Sequence, residues 1–381
     1  MHTYHLLTED QRDLQLMVRD FVDREIKPRA LEMDKKGECD PAVIKMATDM
    51  GLHCMNFPEE YGGMGLDAVT CSILREELGK GDAGFAVTIG ANILGSVPVL
   101  LAGTEEQKKL YADIVVPGGF SPFALTEPGG GSNAANMKTT AVKKGDEYIL
   151  NGRKCFITNA GIADLYTVFA VTDKEKGTRG ISAFLVKRDW AGVSTGKHED
   201  KMGIRTSNTC DVVFEDVHVP ADMMLGAEGT GFKLAMQTLD RTRPLGAAGA
   251  VGICQAAIDY ALEYAKNRVV FNRPIMEEQA IRFMLADMEI QTQAAREMVM
   301  RAAYLIDHGI FDSQFGACVK TFCGDTAMKV TTDAVQILGG YGYSREYPVE
   351  KMMRDAKIYQ IFEGTNQIQR VVIANHMARG K

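Results

Sequence analysis

The sequence predicts an α+β fold in three parts, helical, then β, then helical again, and three observations carry that expectation. Hydrophobic residues recur at helical spacing over 1–118, fall into short β-rich runs over 119–223, and resume helical spacing over 224–381. The chain has 381 residues, more than one hydrophobic core usually organises, so two or three packed units are expected. Glycine-containing turns punctuate the middle segment, as a series of short strands requires.

In chain order, Thr8 is placed to cap a first helix, and Pro58 with Gly62, Gly63 and Gly65 marks a loop. VTIGANILGSVPVLLAG (87–103) reads as a buried helix interrupted at Gly95 and Pro98. EYILNGRKCFITN (147–159), LYTVFAVT (165–172), ISAFLVKR (181–188) and CDVVFEDVHV (210–219) read as strands of a small sandwich or barrel. Their turns are expected at Lys144-Gly145-Asp146, Asn151-Gly152 and Lys176-Gly177. Residues 275–308 contain neither Gly nor Pro. There Ile281, Met284, Leu285, Met288, Ala295, Met298, Ala302 and Leu305 follow helical spacing, with Gly309 placed to end the helix. Segment 312–338 is a second long helix. LGAAGAVG (245–252) lies in a helical pattern running to Lys266, and its small residues would let another helix approach closely.

Composition excludes some functions. Lys and Arg number 43 against 50 Asp and Glu, a net charge of −7 with no long basic run, which argues against a nucleic-acid or anionic-membrane surface. The first residues carry acids and no signal-peptide core. No apolar run is expected to reach the roughly 18–20 residues of a membrane span. The eight cysteines are scattered without a C-x-x-C pair, so no zinc or dithiol site is expected. They read as small apolar residues of a cytoplasmic protein.

Three segments carry candidate chemistry. In FALTEPGGGSNAANMKT (123–139), Gly129, Gly130, Gly131 and Ser132 can converge backbone N–H groups and a hydroxyl on an anionic or ring-shaped ligand. In KCFITNAG (154–161), a strand would offer an aromatic and a hydroxyl, then end at the Asn159–Gly161 turn. In the third, Phe362-Glu363-Gly364-Thr365 sets a carboxylate between an aromatic and a glycine, where desolvation would raise its pKa toward general-base range. No G-x-G-x-x-G or P-loop unit is present.

Together, LTEPGGGS (125–132), CFITNAG (155–161), FEDVHVP (214–220), DRTRP (240–244), QILGGYGYSREYPVEKMMRDAKI (336–358) and FEGTNQIQR (362–370) resemble the acyl-CoA dehydrogenase family over essentially the whole chain. The resemblance implies a middle β-barrel or sandwich, a C-terminal four-helix bundle, and bound FAD. Phe123, Leu125, Thr126, Gly131, Ser132, Phe156, Ile157 and Thr158 would hold the flavin. Arg268, Phe271, Gln279, Gln336, Gly339 and Gly340 would form a cross-subunit site, and Thr365 and Gln367 would bind the adenosine half. Ser132, Asp240, Arg243 and Gly364 would bind substrate. Glu363 would be the base that takes the α-proton of an acyl-CoA thioester. Thr242 occupies the seat from which isovaleryl-type members supply the base, which disfavours that branch. The same resemblance implies a homotetramer and an electron-transfer flavoprotein partner. It also leaves open the reverse reaction, reduction of an enoyl-CoA such as a crotonyl or aryl-acryloyl thioester. The sequence departs from the family pattern at Gly130, Asn133, Val270, Asn272 and Phe362.

Overall fold

The computed structural model describes residues 7–380. Residues 1–6, which begin the segment read as lacking a signal peptide, and residue 381 lie outside them. The helices are α1 (Glu9–Phe21), α2 (Ala30–Lys36), α3 (Pro41–Asp49), α4 (Ala68–Gly81), α5 (Ala83–Gly90), α6 (Asn92–Ala102), α7 (Glu105–Val115), α8 (Gly231–Asn267), α9 (Gln279–Asp307), α10 (Ser313–Leu338), α11 (Pro348–Ala356) and α12 (Asn366–Ala378). The strands are β1 (Phe123–Ala124), β2 (Thr140–Lys144), β3 (Glu147–Thr158), β4 (Leu165–Val171), β5 (Ile181–Lys187), β6 (Val193–Thr195), β7 (Thr209–Pro220), β8 (Met224–Leu225), β9 (Val269–Val270) and β10 (Arg273–Pro274). This is the expected helical, β, helical order.

Thr8 caps α1 with a capping box. Its hydroxyl accepts the Gln11 N–H at 3.2 Å while the Gln11 side chain accepts the Thr8 N–H at 3.1 Å. The apolar stretch after residue 83 breaks at Ala91, between α5 and α6, whereas Gly95 and Pro98 lie inside α6. Gly95 is a packing contact, since a Cβ there would stand 1.9 Å from the Ser121 carbonyl oxygen. Ala83–Ala102 and Gly231–Asn267 are, against expectation, long and apolar enough by composition to span a membrane. Within their apolar windows 72% and 78% of the residues are buried in the protein, so interior packing accounts for the hydropathy.

The main sheet runs β6-β7-β3-β2-β4-β5-β8, with β1 added parallel to β4. It curls on itself. Tyr148 on β3 and Phe184 on β5, separated by β2 and β4 in that order, face each other with rings 5.1 Å apart. Asn151-Gly152 is not a turn but an irregularity inside β3, where pairing with β7 shifts between Leu150 and Gly152. The outward residues of β4 and β5, including Phe169 and Leu185, join a second core with α7.

In the C-terminal part α8, α9 and α10 pack on one another, and α12 lies along α10. The stripe expected on α9 is buried at Leu285, Met288, Ala295 and Ala302. The small residues of α8 also act as read. A Cβ on Gly252 would lie 2.2 Å from the Glu76 carbonyl oxygen, and one on Gly79 would lie 2.6 Å from that of Gly249. α4 and α8 therefore cross at backbone contact, and this crossing forms the floor of the site.

Candidate active site

Glu363 lies in the short link between a turn of 3-10 helix at Lys357–Gln360 and α12. Its φ of 54° is left-handed, an uncommon conformation for a residue with a side chain. The link is held from below and behind. Arg243 on α8 donates through Nε to the Glu363 carbonyl at 3.1 Å, and Gln369 donates to it at 3.2 Å. Lys320 on α10 donates to the Gly364 carbonyl at 2.7 Å and to Asn366 at 2.8 Å. Thr365 caps α12 by accepting the Ile368 N–H. Arg243 is in turn fixed by Asp240 at 3.1 Å, and Asp240 accepts the Ser313 hydroxyl at 2.6 Å.

This scaffold aims the carboxylate into α8 at a glycine. A Cβ on Gly246 would stand 2.7 Å from Glu363 Oε1, so any larger residue would push the carboxylate away. Among the described residues Oε2 is buried with no hydrogen-bond partner, and so is the hydroxyl of Thr242 on α8. Burial pushes the Glu363 carboxyl above its ordinary value, partly offset by the cations of Arg75, Arg243 and Lys320. Tyr359 and Phe362 meet edge to face, ring centres 4.9 Å apart, and line a small cavity with Glu363, Arg243, Gly246 and Lys320. Among the described residues the Glu363 N–H donates to no acceptor. A desolvated carboxylate and a free donor thus sit on one residue.

The second group is the glycine loop. Glu127, buried beneath it, pairs with buried Lys154 at 2.8 Å and accepts the Thr139 N–H at 3.0 Å. Phe123 is on β1, Leu125 is buried, and the Thr126 carbonyl accepts the Cys155 N–H at 2.9 Å, which ties the loop to β3. Above this anchor Gly131 and Ser132 are exposed, and Gly129 has nothing within 4 Å of a Cβ position. β3 bulges between Lys154 and Ile157. The bulge leaves Phe156 left-handed at 55° and 67% exposed, while Ile157 is buried and Thr158 half-buried, so the three still alternate outward and inward. Thr158 keeps its pairing with Thr209, and Asn159 ends the strand with φ 64°.

A third group lines a groove of about 450 Å³, within the range of small-ligand sites. Arg268, Gly339 and Gly340 lie in its wall with Val270, and the Arg268 guanidinium stands 5.2 Å from the Tyr341 ring. Phe271 and Asn272, both left-handed, form the tip of the β9–β10 hairpin, where Phe271 is 88% exposed. Gln336, Gln279 and Gln367 are exposed on α10, α9 and α12.

Sequence reasoning named Glu363, Arg243 and Gly364, and the structure brings them together. It missed Gly246, Lys320, Tyr359 and Arg75. The small-residue run at 245–252 was the only signal for Gly246, while Lys320 is a lone cation in an apolar helical pattern.

Models of the acyl-CoA dehydrogenase N-terminal, middle and C-terminal domains match residues 8–118, 122–217 and 229–378. The chain is 47% identical to the short-chain specific acyl-CoA dehydrogenase of Megasphaera elsdenii over 379 residues, covering 98% of this chain and 99% of that one. It superposes on butyryl-CoA dehydrogenase of the same organism with a TM-score of 0.95 at 46% identity, covering 99% and 100% of the two chains. A chain in a structure of the electron transferring flavoprotein of Acidaminococcus fermentans, concerned with flavin-based electron bifurcation, gives a TM-score of 0.96 at 47% identity, covering 99% and 100%.

Proposed function

The chain belongs to the acyl-CoA dehydrogenase family, and from that premise we propose that it oxidises a short- or medium-chain acyl-CoA to the trans-2-enoyl-CoA, with Glu363 as the base. The observation that carries this reading is the Glu363 carboxylate: buried, unpartnered at Oε2, and aimed at the bare backbone of Gly246. Nothing in the fold requires a carboxylate there, and burying it works against stability, so a chemical role explains it.

The residues present fit FAD. The exposed ring of Phe156, the open glycine loop and the groove beside Arg268 leave an aromatic face, backbone donors and a cation uncovered by the chain itself. Phe123, Leu125, Thr126, Gly131, Ser132, Phe156, Ile157 and Thr158 would hold the flavin half. Thr365 and Gln367, with Arg268, Phe271, Gln279, Gln336, Gly339 and Gly340 of a second copy, would hold the remainder, which makes a homotetramer the expected assembly. When bound, FAD supplies the acceptor for the hydride that leaves the substrate β-carbon.

The chain's own groups do the rest. Glu363 takes the α-proton, and its N–H donates to the thioester carbonyl oxygen as negative charge gathers there, an effect worth a few kcal/mol. Arg243, Lys320 and Gln369 hold the backbone of the base in place. Asp240, Arg243, Ser132 and Gly364 would line the path of the CoA thioester. An electron-transfer flavoprotein would be the electron partner of the loaded enzyme.

Likeness to a chain from a structure concerned with electron bifurcation favours a second reading, in which Glu363 returns the proton and an enoyl-CoA is reduced. Anaerobic mixing with straight C4 to C12, branched and aryl-propionyl thioesters tests the first reading by bleaching of the flavin absorbance. NADH-dependent reduction of crotonyl-CoA with an electron-transfer flavoprotein tests the second. Glu363→Gln is expected to keep its yellow flavin and to lose about 10²- to 10⁴-fold in the bleaching rate, the usual worth of a general base. Wild-type-like bleaching in that variant removes the assignment.

A further inference from the structure

Arg75 makes no ion pair among the described residues, though its charge reaches the Glu363 carboxylate. It lies on α4 one turn before Gly79, on the face that crosses α8. Its one hydrogen bond among the described residues runs from Nη1 to the Gly90 carbonyl at 3.1 Å, and no carboxylate pairs with it. Glu76 and Glu77, its sequence neighbours, turn the other way and pair with Arg296 and Arg19.

The guanidinium has a built seat. A Cβ on Gly90 would stand 2.9 Å from Arg75 Cζ and 3.0 Å from both terminal nitrogens, so the head group lies flat against bare backbone at the end of α5. That seat faces the same crossing as the base. Gly79 meets Gly249, the Tyr359 hydroxyl would stand 2.6 Å from a Cβ on Gly249, and Gly246 one turn earlier on α8 underlies Glu363. Of the cations acting on Glu363, Arg75 acts most strongly, ahead of Arg243 and Lys320, which share a cavity with it.

A guanidinium carries five N–H donors, and four here have no acceptor among the described residues. An alkyl chain would leave them unsatisfied, at a cost that a site for plain fatty acyl groups has no reason to bear. A carboxylate at the far end of the acyl chain would accept two of them in the planar, bidentate geometry that arginine favours. We propose, resting on the acyl-CoA dehydrogenase reading above, that Arg75 seated on Gly90 selects acyl-CoA substrates whose acyl chain ends in a carboxylate.

Binding is measured by calorimetry on the flavin-loaded Glu363→Gln protein, which removes turnover from the readout. The ligands are succinyl-, glutaryl- and adipyl-CoA, each against the neutral thioester of the same chain length. The best carboxylate ligand is expected to bind about 10- to 100-fold tighter than its neutral counterpart, as one charge-assisted pair provides. That preference should vanish with Arg75→Met. It should also fall with Gly90→Ala, which keeps the charge and takes its seat, so a folding defect in one variant does not decide the matter. Equal affinity for charged and neutral ligands in the protein that retains Arg75 overturns the assignment. Bleaching of wild-type flavin separates the two claims. Bleaching by neutral thioesters with no carboxylate preference removes the role of Arg75 alone, whereas a preference with no bleaching by any thioester removes the catalytic reading and shows the bound anion not to be a substrate.

Discussion

At the scale of the residue, Glu363 shows what burial does to a carboxylate and what its field adds back. Burial raises its pKa, with Arg75, Arg243 and Lys320 opposing that shift. The acid is therefore weaker folded than unfolded. Its contribution to stability is fully present below the unfolded pKa and is lost as pH rises through the folded one. Glu363→Gln should unfold at a higher temperature than wild type at neutral pH, with the gap closing on acidification. A scan of unfolding temperature against pH checks this, and a variant no more stable than wild type at pH 7 contradicts it. Glu363 was legible in sequence because an aromatic, an acid and a glycine stand side by side in a recurring segment. Arg75 was not, because its meaning depends on a glycine 15 positions later and a carboxylate 288 positions later, which only the fold brings to one crossing.

At the scale of the element, the α4–α8 crossing is set by missing side chains. Alanine at position 252 would gain about 1 kcal/mol of helix propensity over glycine. Against that, its Cβ would meet the Glu76 carbonyl at 2.2 Å, and overpacking typically costs about 1–3 kcal/mol. The clash is with backbone, which cannot rotate aside, so the steric effect should win. Gly252→Ala is expected to lower the unfolding temperature and to slow flavin bleaching, since Gly246, which underlies the Glu363 carboxylate, lies on the same helix. A variant at least as stable as wild type would mean that α4 can yield. The pattern of small residues announced this contact, and the Thr8 capping box announced the start of α1, because both are written within one short segment. The break at Ala91 and the bulges in β3 were not announced. The β3 bulges answer to a partner distant in sequence, the register of β7, as does the close approach of Gly95 to the Ser121 carbonyl inside α6.

At the scale of the whole molecule, a buried ionic knot joins all three parts a few residues before the base. Lys351 on α11 lies 2.6 Å from Asp82 and 2.5 Å from Asp355, and all three side chains are buried. Asp82 caps α5 and accepts the Thr206 hydroxyl, while Asp355 accepts the Ile204 N–H at 2.6 Å. Arg354 adds a two-bonded contact to Asp34 and donates to the Met202 carbonyl at 2.9 Å. Segment 202–206, ahead of β7, is thus gripped between the N-terminal helices and α11. Burial opposes the charge on Lys351, yet the two carboxylates hold its pKa up. Lys351→Met would leave both carboxylates in the interior without a cation, a loss of about 3–5 kcal/mol. Unpaired and buried, they would bind protons more readily folded than unfolded, so the deficit should shrink as pH falls toward the ordinary carboxylate range and be largest at neutral pH. Because the knot is a buried tie common to the three parts, its loss should also loosen their coupling. Thermal unfolding followed at once by flavin fluorescence and far-ultraviolet circular dichroism is expected to give coincident transitions in wild type and separate ones in the variant. A single transition at the wild-type midpoint would show that the helix crossing alone carries the coupling between the base and the rest of the fold.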